Sequence, residues 1–257
     1  MKETTVDMNG HAMRVWSKGS GQPIGYFPGY GGALKWTPFL DKLAETRTVI
    51  VPSLPGFPGG RHAHLDLDTQ LDWMLAVHDL LSKSGLDGAD LIGTGFGGAL
   101  AADAAACWTG MVRKLILISP WGIYDEADPV TNVWAQPPGA TPKLLCADPK
   151  NFTNLLAPPN DIDEGEWKII QVRADEAAAR FLWPLGDTGL VKRLDRISQD
   201  TLLIWGDKDR VVPQSYAKKF ADRISGKSDI KKIKDAGHLA ELDQPEAVAK
   251  AILAFAA

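Results

Sequence analysis

The sequence has few cysteines, no long run of like charge and no long apolar stretch. Its two cysteines, Cys107 and Cys146, show neither the density of a disulfide framework nor the spacing of a metal site. The 28 basic and 32 acidic side chains are dispersed, so nothing favours binding to nucleic acid or to a membrane surface. No segment reaches the roughly 18 apolar residues of a membrane span, and residues 1–10 lack an apolar signal core. We therefore expect a soluble, cytoplasmic protein.

What the chain does contain is a regular alternation of apolar strands and helices. Its 257 residues, 45% of them hydrophobic, are enough for one large α/β domain or for a core that carries an insertion. Asn9 and Gly10 lie between two alternating segments and predict an antiparallel hairpin at a sheet edge. The unbroken apolar run at 115–118 is typical of a strand buried on both faces, which indicates parallel central strands.

One helix is predicted in detail from its periodicity. Leu71, Leu75, His78 and Leu81 recur at helical spacing, so we expect them to share the apolar face of a helix capped by Asp68. On that face His78 is interpreted as a packing residue.

The alternation of strands and helices is interrupted once. After Pro120, residues 121–195 become richer in proline, tryptophan and acidic side chains. We interpret 121–195 as a helical cap inserted into a core that is formed by 1–120 and 196–257.

The most informative stretch is a glycine-dense turn between a strand and a helix. The strand that ends near Ile92 is followed by Gly93 to Gly98 and then by an alanine-rich helix. The spacing is that of the G-x-S-x-G nucleophile elbow, in which the central residue is held in a strained conformation and presents its side chain. Here the central residue is Gly95, so the elbow is predicted without its nucleophilic hydroxyl.

An acid and a base are predicted at the same edge of the sheet. Asp207 and Asp209 follow a strand that ends at Trp205, and His238 follows the last strand. Because parallel strands present their carboxyl ends at one edge, we expect these side chains to approach the elbow. Asp209 is the preferred acid and His238 the base.

Together these motifs resemble the α/β-hydrolase superfamily over essentially the whole chain. The resemblance implies an α/β fold with a mostly parallel, eight-stranded sheet, helices on both faces and a helical cap between the sixth and seventh strands. It selects Asp209 because the family's acid loop has the form Gly-x-x-Asp, and it matches Glu241 as the acidic residue shortly after His238. The backbone amides of Tyr30 and Phe96 would form the oxyanion hole, and no metal or organic cofactor is implied.

Glycine at the nucleophile position departs from this family, and no neighbouring residue is predicted to replace the serine. Thr94 stands on the strand side of the turn, Ser53 and Ser119 stand at other strand ends, and Cys107 lies deep in the following helix. Loss of a triad nucleophile typically lowers turnover by about a million-fold, so the chain should not form an acyl-enzyme.

Two interpretations of Gly95 remain open. The preferred one is an inactivated hydrolase whose parent reaction cleaves an ester, acyl or carbon–carbon bond of a small apolar or aromatic substrate. The alternative is a natural non-hydrolytic protein, which either uses His238 and Asp209 for proton transfer, as in lyase, isomerase or oxygenase-like chemistry, or only binds a ligand.

Tryptophans in the cap are candidates for the substrate pocket. Trp121, Trp134, Trp167 and Trp183 could line an apolar chamber over the elbow, and the alternative is that they pack the cap onto the core. The paired histidines at 62 and 64 lack a third ligand at metal spacing and are interpreted as part of a solvated loop.

Overall fold

An eight-stranded sheet forms the centre of the computed structural model, which describes residues 1–137, 139–160, 162–184 and 186–257. The strands are β1 (Lys2–Met8), β2 (His11–Lys18), β3 (Pro23–Phe27), β4 (Thr48–Pro52), β5 (Ala89–Thr94), β6 (Val112–Ile118), β7 (Thr201–Gly206) and β8 (Ser228–Ile233). Their spatial order is β1-β2-β4-β3-β5-β6-β7-β8. β2 is antiparallel to β1 and β4, and all other neighbours are parallel. The predicted mostly parallel sheet is confirmed.

The first hairpin forms as its turn residues predict. Asn9 and Gly10 have φ angles of 52° and 87°, and Met8 pairs with His11. Two successive left-handed residues match the twist of the flanking strands, which is why this dipeptide favours a two-residue turn.

Helices cover both faces of the sheet. They are α1 (Pro38–Ala44), α2 (Gln70–Lys83), α3 (Gly95–Cys107), α4 (Thr141–Leu145), α5 (Pro149–Leu156), α6 (Glu164–Leu182), α7 (Ser215–Ala221), α8 (Ala240–Asp243) and α9 (Pro245–Ala256). Side chains of β6 alternate between two apolar layers: Leu115 and Leu117 face the layer that contains α2 and α3, whereas Ile116 and Ile118 face the layer that contains α1 and α9. This alternation explains why four successive residues of β6, at 115–118, are all apolar.

The predicted orientation of α2 is wrong. Leu71 and Leu75 are 59% and 50% exposed, and the buried face consists of Trp73, Val77, Leu80 and Leu81. The helix is capped by Thr69, whose hydroxyl accepts the amide of Asp72, and Asp68 lies outside it. The predicted set and the observed set of apolar residues both have helical spacing. The set that contains Trp73 faces the core because its large indole packs against Phe96 and Phe181. His78 is accordingly on the partly exposed side of α2, beside Trp108.

Among the described residues, α4, α5 and α6 lie in the connection between β6 and β7. Asp148 and Asp163 accept backbone amides at the N-termini of α5 and α6. The division of the chain into a core and a cap domain stays a prediction. Within the described ranges, none of the helices combines the length and the apolar character that crossing a membrane would require.

The close approach of α3 to the sheet supplies the first testable prediction. A Cβ atom on Gly97 would overlap the carbonyl oxygen of Phe27, which is backbone and cannot move aside. We expect Gly97→Ala to lower the free energy of unfolding by roughly 2–3 kcal/mol, the upper range for overpacking. Urea unfolding measures this loss.

The matched control is Gly165→Ala in the first turn of α6, which is exposed and would place its Cβ against the movable side chain of Asp163. This control should leave stability unchanged or raise it slightly, because alanine favours a helix over glycine. Equal stability of the two variants would contradict the packing argument.

Candidate active site

The elbow forms where β5 meets α3. Gly95 has a φ of +51°, in the left-handed region that glycine tolerates best. A Cβ atom on Gly93 would lie 2.5 Å from the carbonyl oxygen of Gly97, so the strand and the helix pack backbone against backbone. The turn therefore has the sharp geometry that the sequence predicts, and position 95 is the corner that faces the histidine loop.

The imidazole of His238 points at this corner. His238 lies in the loop between β8 and α8, and its side chain is fully buried. A Cβ atom on Gly95 would stand 3.0 Å from Nε2 of His238. Among the described residues this nitrogen has no hydrogen-bond partner. The structure thus places the imidazole where it would contact a side chain at position 95.

Asp209 holds the other side of the imidazole. Its Oδ2 lies 3.2 Å from Nδ1 of His238, and its Oδ1 accepts the backbone amides of Val211 at 2.8 Å and Val212 at 3.0 Å. Two backbone donors fix the rotamer of this carboxylate. Asp207 accepts the amide of Ala236 instead, at 3.3 Å. Geometry therefore joins Asp209, and not Asp207, to the histidine.

Two segments lie beside the corner, the loop of Gly29 and the first turn of α3. The Cα atom of Gly29, next to Tyr30, would be 3.8 Å from a Cβ on Gly95. Phe96 belongs to the first turn of α3, whose N–H groups have no intrahelical acceptor and lie at the positive end of the helix dipole. Phe96 directly follows position 95, and Tyr30 directly follows Gly29, so both lie near the corner; an oxyanion hole formed by their amides stays a prediction.

The comparisons with known proteins decide the family. Residues 23–251 match the model of the alpha/beta hydrolase family. The chain belongs to this family.

The relatives of this alpha/beta hydrolase include two enzymes named as hydrolases of dienoates. It is 25% identical over 243 residues to a 2-hydroxy-6-oxo-2,4-heptadienoate hydrolase of Pseudomonas putida, with 88% of this chain and 86% of the relative covered. It is 26% identical over 271 residues to a 2-hydroxy-6-oxo-6-phenylhexa-2,4-dienoate hydrolase of Comamonas testosteroni, with 95% of this chain and 91% of the relative covered.

Solved structures show the same fold. A mutant of the meta-cleavage product hydrolase CumD from Pseudomonas fluorescens IP01 superposes with a TM-score of 0.76 at 19% identity, covering 96% of this chain and 94% of that one. A bacterial membrane phospholipase A superposes with a TM-score of 0.73 at 23% identity, and the match covers 99% of this chain and 85% of the phospholipase chain.

The four candidate pocket tryptophans occupy different environments in this alpha/beta hydrolase. The ring of Trp121 lies 5.2 Å from that of His238, and its amide donates to the carbonyl of Gly95 at 3.1 Å. Trp134 follows at 6.2 Å from Trp121. Trp183 contacts Trp134 but is 58% exposed. Trp167 packs within the cap, where its indole donates to the carbonyl of Leu156.

Trp121 and Trp134 thus form an aromatic wall beside the histidine. They also line a small cavity of about 50 Å³ together with Leu182 and Asn132. Gly95 and His238 are buried, so the site is closed to solvent in this conformation. Entry of a ligand therefore requires displacement of the residues that cover the imidazole.

The side chains of the two oxyanion-loop residues tie the elbow to the cap. The ring of Phe96 packs against Phe57 at 4.8 Å and against Phe181 of α6 at 5.2 Å. The ring of Tyr30 lies 6.1 Å from Phe152 of α5, and its hydroxyl faces Asp175 of α6. Burial raises the pKa values of both the Tyr30 phenol and the Asp175 carboxyl.

Asp243 is a structural residue of the site that sequence reasoning missed. Its carboxylate accepts the amide of Gly237 at 2.8 Å, the amide of Ala147 at 2.7 Å and the side-chain amide of Asn151 at 2.8 Å. It therefore fastens the histidine loop to the cap. The only available signal was an acidic residue shortly after the histidine, and Glu241, two residues earlier, satisfied it equally well.

Glu241 occupies a different environment, beneath the elbow. It is 3% exposed, and its Oε1 accepts the hydroxyl of Tyr26 at 3.0 Å. The same hydroxyl lies 3.4 Å from that of Thr94. Burial raises the pKa of Glu241 to about 7. Thr94 thus takes part in this buried network, consistent with the prediction that it does not replace the nucleophile.

The other excluded candidates lie in equally unsuitable surroundings. Ser53 and Ser119 are buried, and burial raises the pKa of Cys107, which lowers its thiolate content. The described residues contain no cluster of three or more metal-ligating side chains. The prediction that both histidines lie in a solvated loop is wrong for His64. Its side chain is fully buried and lies 3.4 Å from Glu176, because α6 covers this part of the loop.

The buried Glu241 supplies a pH-dependent prediction. The carboxyl ionises near 4.5 in the unfolded chain and near 7 in the folded one, so the folded state binds more protons between these values. The free energy of unfolding therefore falls as pH rises through this interval, by up to about 3 kcal/mol. Glu241→Gln should remove this loss. The difference in the free energy of unfolding between the variant and the parent chain should therefore shift in favour of the variant by roughly 2–3 kcal/mol from pH 5 to pH 8.

Urea unfolding of both proteins at the two pH values measures the difference. Glu246→Gln in α9 removes the same charge from an exposed position and serves as the control, with no pH-dependent gain expected. A stability difference for Glu241→Gln that is equal at pH 5 and pH 8 would show that the carboxyl ionises normally.

Proposed function

We propose that this chain carries the site of a hydrolase for an ester or carbon–carbon bond next to a carbonyl group, in which Gly95 stands at the position of the nucleophilic serine. The chain as it stands would bind the substrate without forming an acyl-enzyme. One observation carries this proposal: Nε2 of His238, buried and unpartnered among the described residues, lies 3.0 Å from where a Cβ on Gly95 would be. The histidine is aimed at a side chain that glycine lacks.

The surrounding groups match the roles that acyl transfer needs. His238 would take the proton of the nucleophile, Asp209 would hold the imidazole and stabilise its positive charge, and the amides of Tyr30 and Phe96 would bind the oxyanion. Asp209 is held by two backbone amides and the histidine loop is held by Asp243, and neither contact involves a side chain at position 95. The machinery can therefore assemble around glycine.

The proposed substrate is a small apolar or aromatic carbonyl compound. Trp121 covers the imidazole with a flat ring and Trp134 extends the same wall, which favours a planar conjugated group. Relatives named as hydrolases of 2-hydroxy-6-oxo-dienoates support a conjugated ketone and carbon–carbon cleavage. An aryl ester would present a similar shape and the same carbonyl chemistry.

Restoring the serine tests the proposal. We expect Gly95→Ser to hydrolyse 4-nitrophenyl acetate at least about 10³-fold faster than the parent chain and to be labelled by a fluorophosphonate, since it regains the nucleophile that acyl transfer requires. The imidazole must move by a few tenths of an ångström to admit the new Cβ. The left-handed backbone should cost about 1 kcal/mol of stability.

Gly95→Ala is the matched control, because it introduces the same Cβ and the same backbone strain without a hydroxyl. The alanine variant should stay unlabelled and inactive. A folded serine variant that is neither labelled nor active would refute the hydrolase proposal, and labelling of the alanine variant would place the nucleophile elsewhere.

The unpartnered Nε2 also favours a second candidate function, general-base catalysis by His238 and Asp209 without a serine. In that case the imidazole would accept a proton directly from a carbon acid or hydroxyl of the ligand, and the oxyanion amides would hold the resulting enolate.

The parent chain itself tests this second function. The parent chain should accelerate the tautomerisation of phenylpyruvate, followed by ultraviolet absorbance, because the imidazole would accept the proton of the carbon acid. His238→Gln should abolish the acceleration, whereas His78→Gln, which changes a partly exposed histidine of α2, should leave it intact. No acceleration by the parent chain, or equal rates for both variants, would exclude this function for carbon acids of that size.

A further inference from the structure

A short stretch of the chain, residues 143–151, contacts the histidine loop on both sides of its histidine. It comprises the end of α4, the start of α5 and the turn between them, and is called the α4–α5 segment below. The amide of Leu239, directly after the histidine, donates to the carbonyl oxygen of Leu145 at 2.8 Å. The amide of Gly237, directly before the histidine, donates to Oδ2 of Asp243 at 2.8 Å.

Asp243 connects the histidine loop to the α4–α5 segment with both of its oxygens. Oδ2 also accepts the amide of Ala147 at 2.7 Å. Oδ1 accepts the side-chain amide of Asn151 at 2.8 Å and lies 3.3 Å from the amide nitrogen of Asp148. Hydrogen bonds to an ionised carboxylate are roughly twice as strong as neutral ones, and donors on both oxygens fix its rotamer. The carboxylate is therefore a rigid link between the two segments.

Backbone packing adds to this link. A Cβ atom on Gly237 would lie 2.8 Å from the amide nitrogen of Ala147 and 2.9 Å from the carbonyl oxygen of Leu145. Both atoms belong to the backbone, and Gly237 is buried between them and its own loop. Because two backbones in such contact cannot move past each other freely, a displacement of the α4–α5 segment would displace the histidine loop.

The acid loop is bound to the same segment. Arg210 directly follows Asp209, and its guanidinium donates to the carbonyl oxygen of Lys143 at 2.6 Å. The last carbonyl groups of a helix have no intrahelical donor and favour a cation. This bond is exposed, so it is weaker than the bonds of the buried loop. The α4–α5 segment nevertheless contacts the loops of both the acid and the base.

We propose that Asp243 is a positioning residue, through which the placement of the His238 imidazole depends on docking of the α4–α5 segment. Asp209 fixes the rotation of the ring through Nδ1, and Asp243 fixes the backbone from which the ring extends. A shift of this backbone would change the distance from Nε2 to position 95 and the contact of the imidazole with Trp121. The α4–α5 segment thus holds the base in place.

This inference rests on the proposed function only in treating His238 as the reacting base. Its test observes the histidine loop and the imidazole in the parent chain and needs no substrate. Failure of Gly95→Ser in the ester assay would leave the result on Asp243 standing, and a negative result on Asp243 would leave the hydrolase proposal standing.

The experiment combines amide hydrogen exchange with NMR of the full chain. Asp243→Asn keeps the shape of the side chain but removes the charge and one acceptor oxygen. We expect the amides of Gly237 and Leu239 to exchange about 10- to 100-fold faster, relative to the amide of Ile116 in β6, because charge-assisted hydrogen bonds are weakened. The Cε1 proton resonance of His238, assigned by its loss in His238→Gln, should also shift, because the imidazole moves relative to the ring of Trp121.

The matched control is Asp235→Asn, the same substitution in the same loop. Asp235 is exposed and contacts Lys208 rather than the α4–α5 segment, and asparagine tolerates its left-handed backbone. Both measurements should stay at the values of the parent chain.

A double variant tests whether the effect comes from this hydrogen-bond pattern. In Asp243→Asn with Asn151→Asp, the new amide can donate to the new carboxylate, and the remaining oxygen at position 243 can accept the amides of Gly237 and Ala147. We expect the double variant to recover the exchange rates and the histidine resonance of the parent chain. A double variant that behaves like Asp243→Asn alone would overturn the proposal.

A milder variant keeps the test open if Asp243→Asn does not fold. Asn151→Ala removes one donor and should accelerate exchange of the Gly237 amide by a smaller factor, about 2- to 10-fold, with a smaller shift of the histidine resonance. Exchange rates equal to those of the parent chain in the folded variants would overturn the proposal. Faster exchange with an unchanged histidine resonance would also overturn it, because Asp243 would then hold the loop without positioning the imidazole.

Discussion

The backbone contact between β5 and α3 is the constraint on which the rest of the site depends. Gly93 and Gly97 allow the strand and the helix to approach without side chains between them, and this approach forces the left-handed conformation of Gly95. The corner then meets the histidine loop, the loop of Tyr30 and the amide of Trp121 at once. Every group of the candidate site is placed relative to this turn.

Because the turn is a property of the backbone, its surroundings do not depend on a hydroxyl at its corner. Asp209 is held by two amides, and the histidine loop is fastened through Asp243. Neither arrangement requires a side chain at position 95. A glycine in this position has no side-chain atom that could attack a substrate, and it avoids the strain that other residues would suffer at this φ.

The cap is connected to the site at several points. Tyr30 contacts α5 and faces α6, Phe96 packs on Phe181, and Asp243 binds the amide of Ala147. Two of these connections pass through the segments that would bind an oxyanion. Movement of the cap would therefore shift the segments of Tyr30 and Phe96, since both are packed against its helices.

Local patterns fixed much of this architecture. The Asn9-Gly10 turn, the apolar run of β6 and the glycine-dense elbow each depend on neighbours within a few residues, and the order of the motifs identified the position of Gly95, Asp209 and His238. The errors lie where the choice is non-local. The buried face of α2 was misjudged because two apolar sets had helical spacing, and packing against Phe96 and Phe181 selected the one that contains Trp73.

The sequence by itself determined the order and type of the elements and the absence of a hydroxyl at the elbow, because strand periodicity, turn chemistry and residue identity are local. Only the tertiary structure decided that Asp243 fastens the histidine loop, that Glu241 lies buried under the elbow, and that Trp121 covers the imidazole. Those outcomes depend on which distant segments meet at the edge of the sheet, and the burial and pairing of a charged group follow from that meeting.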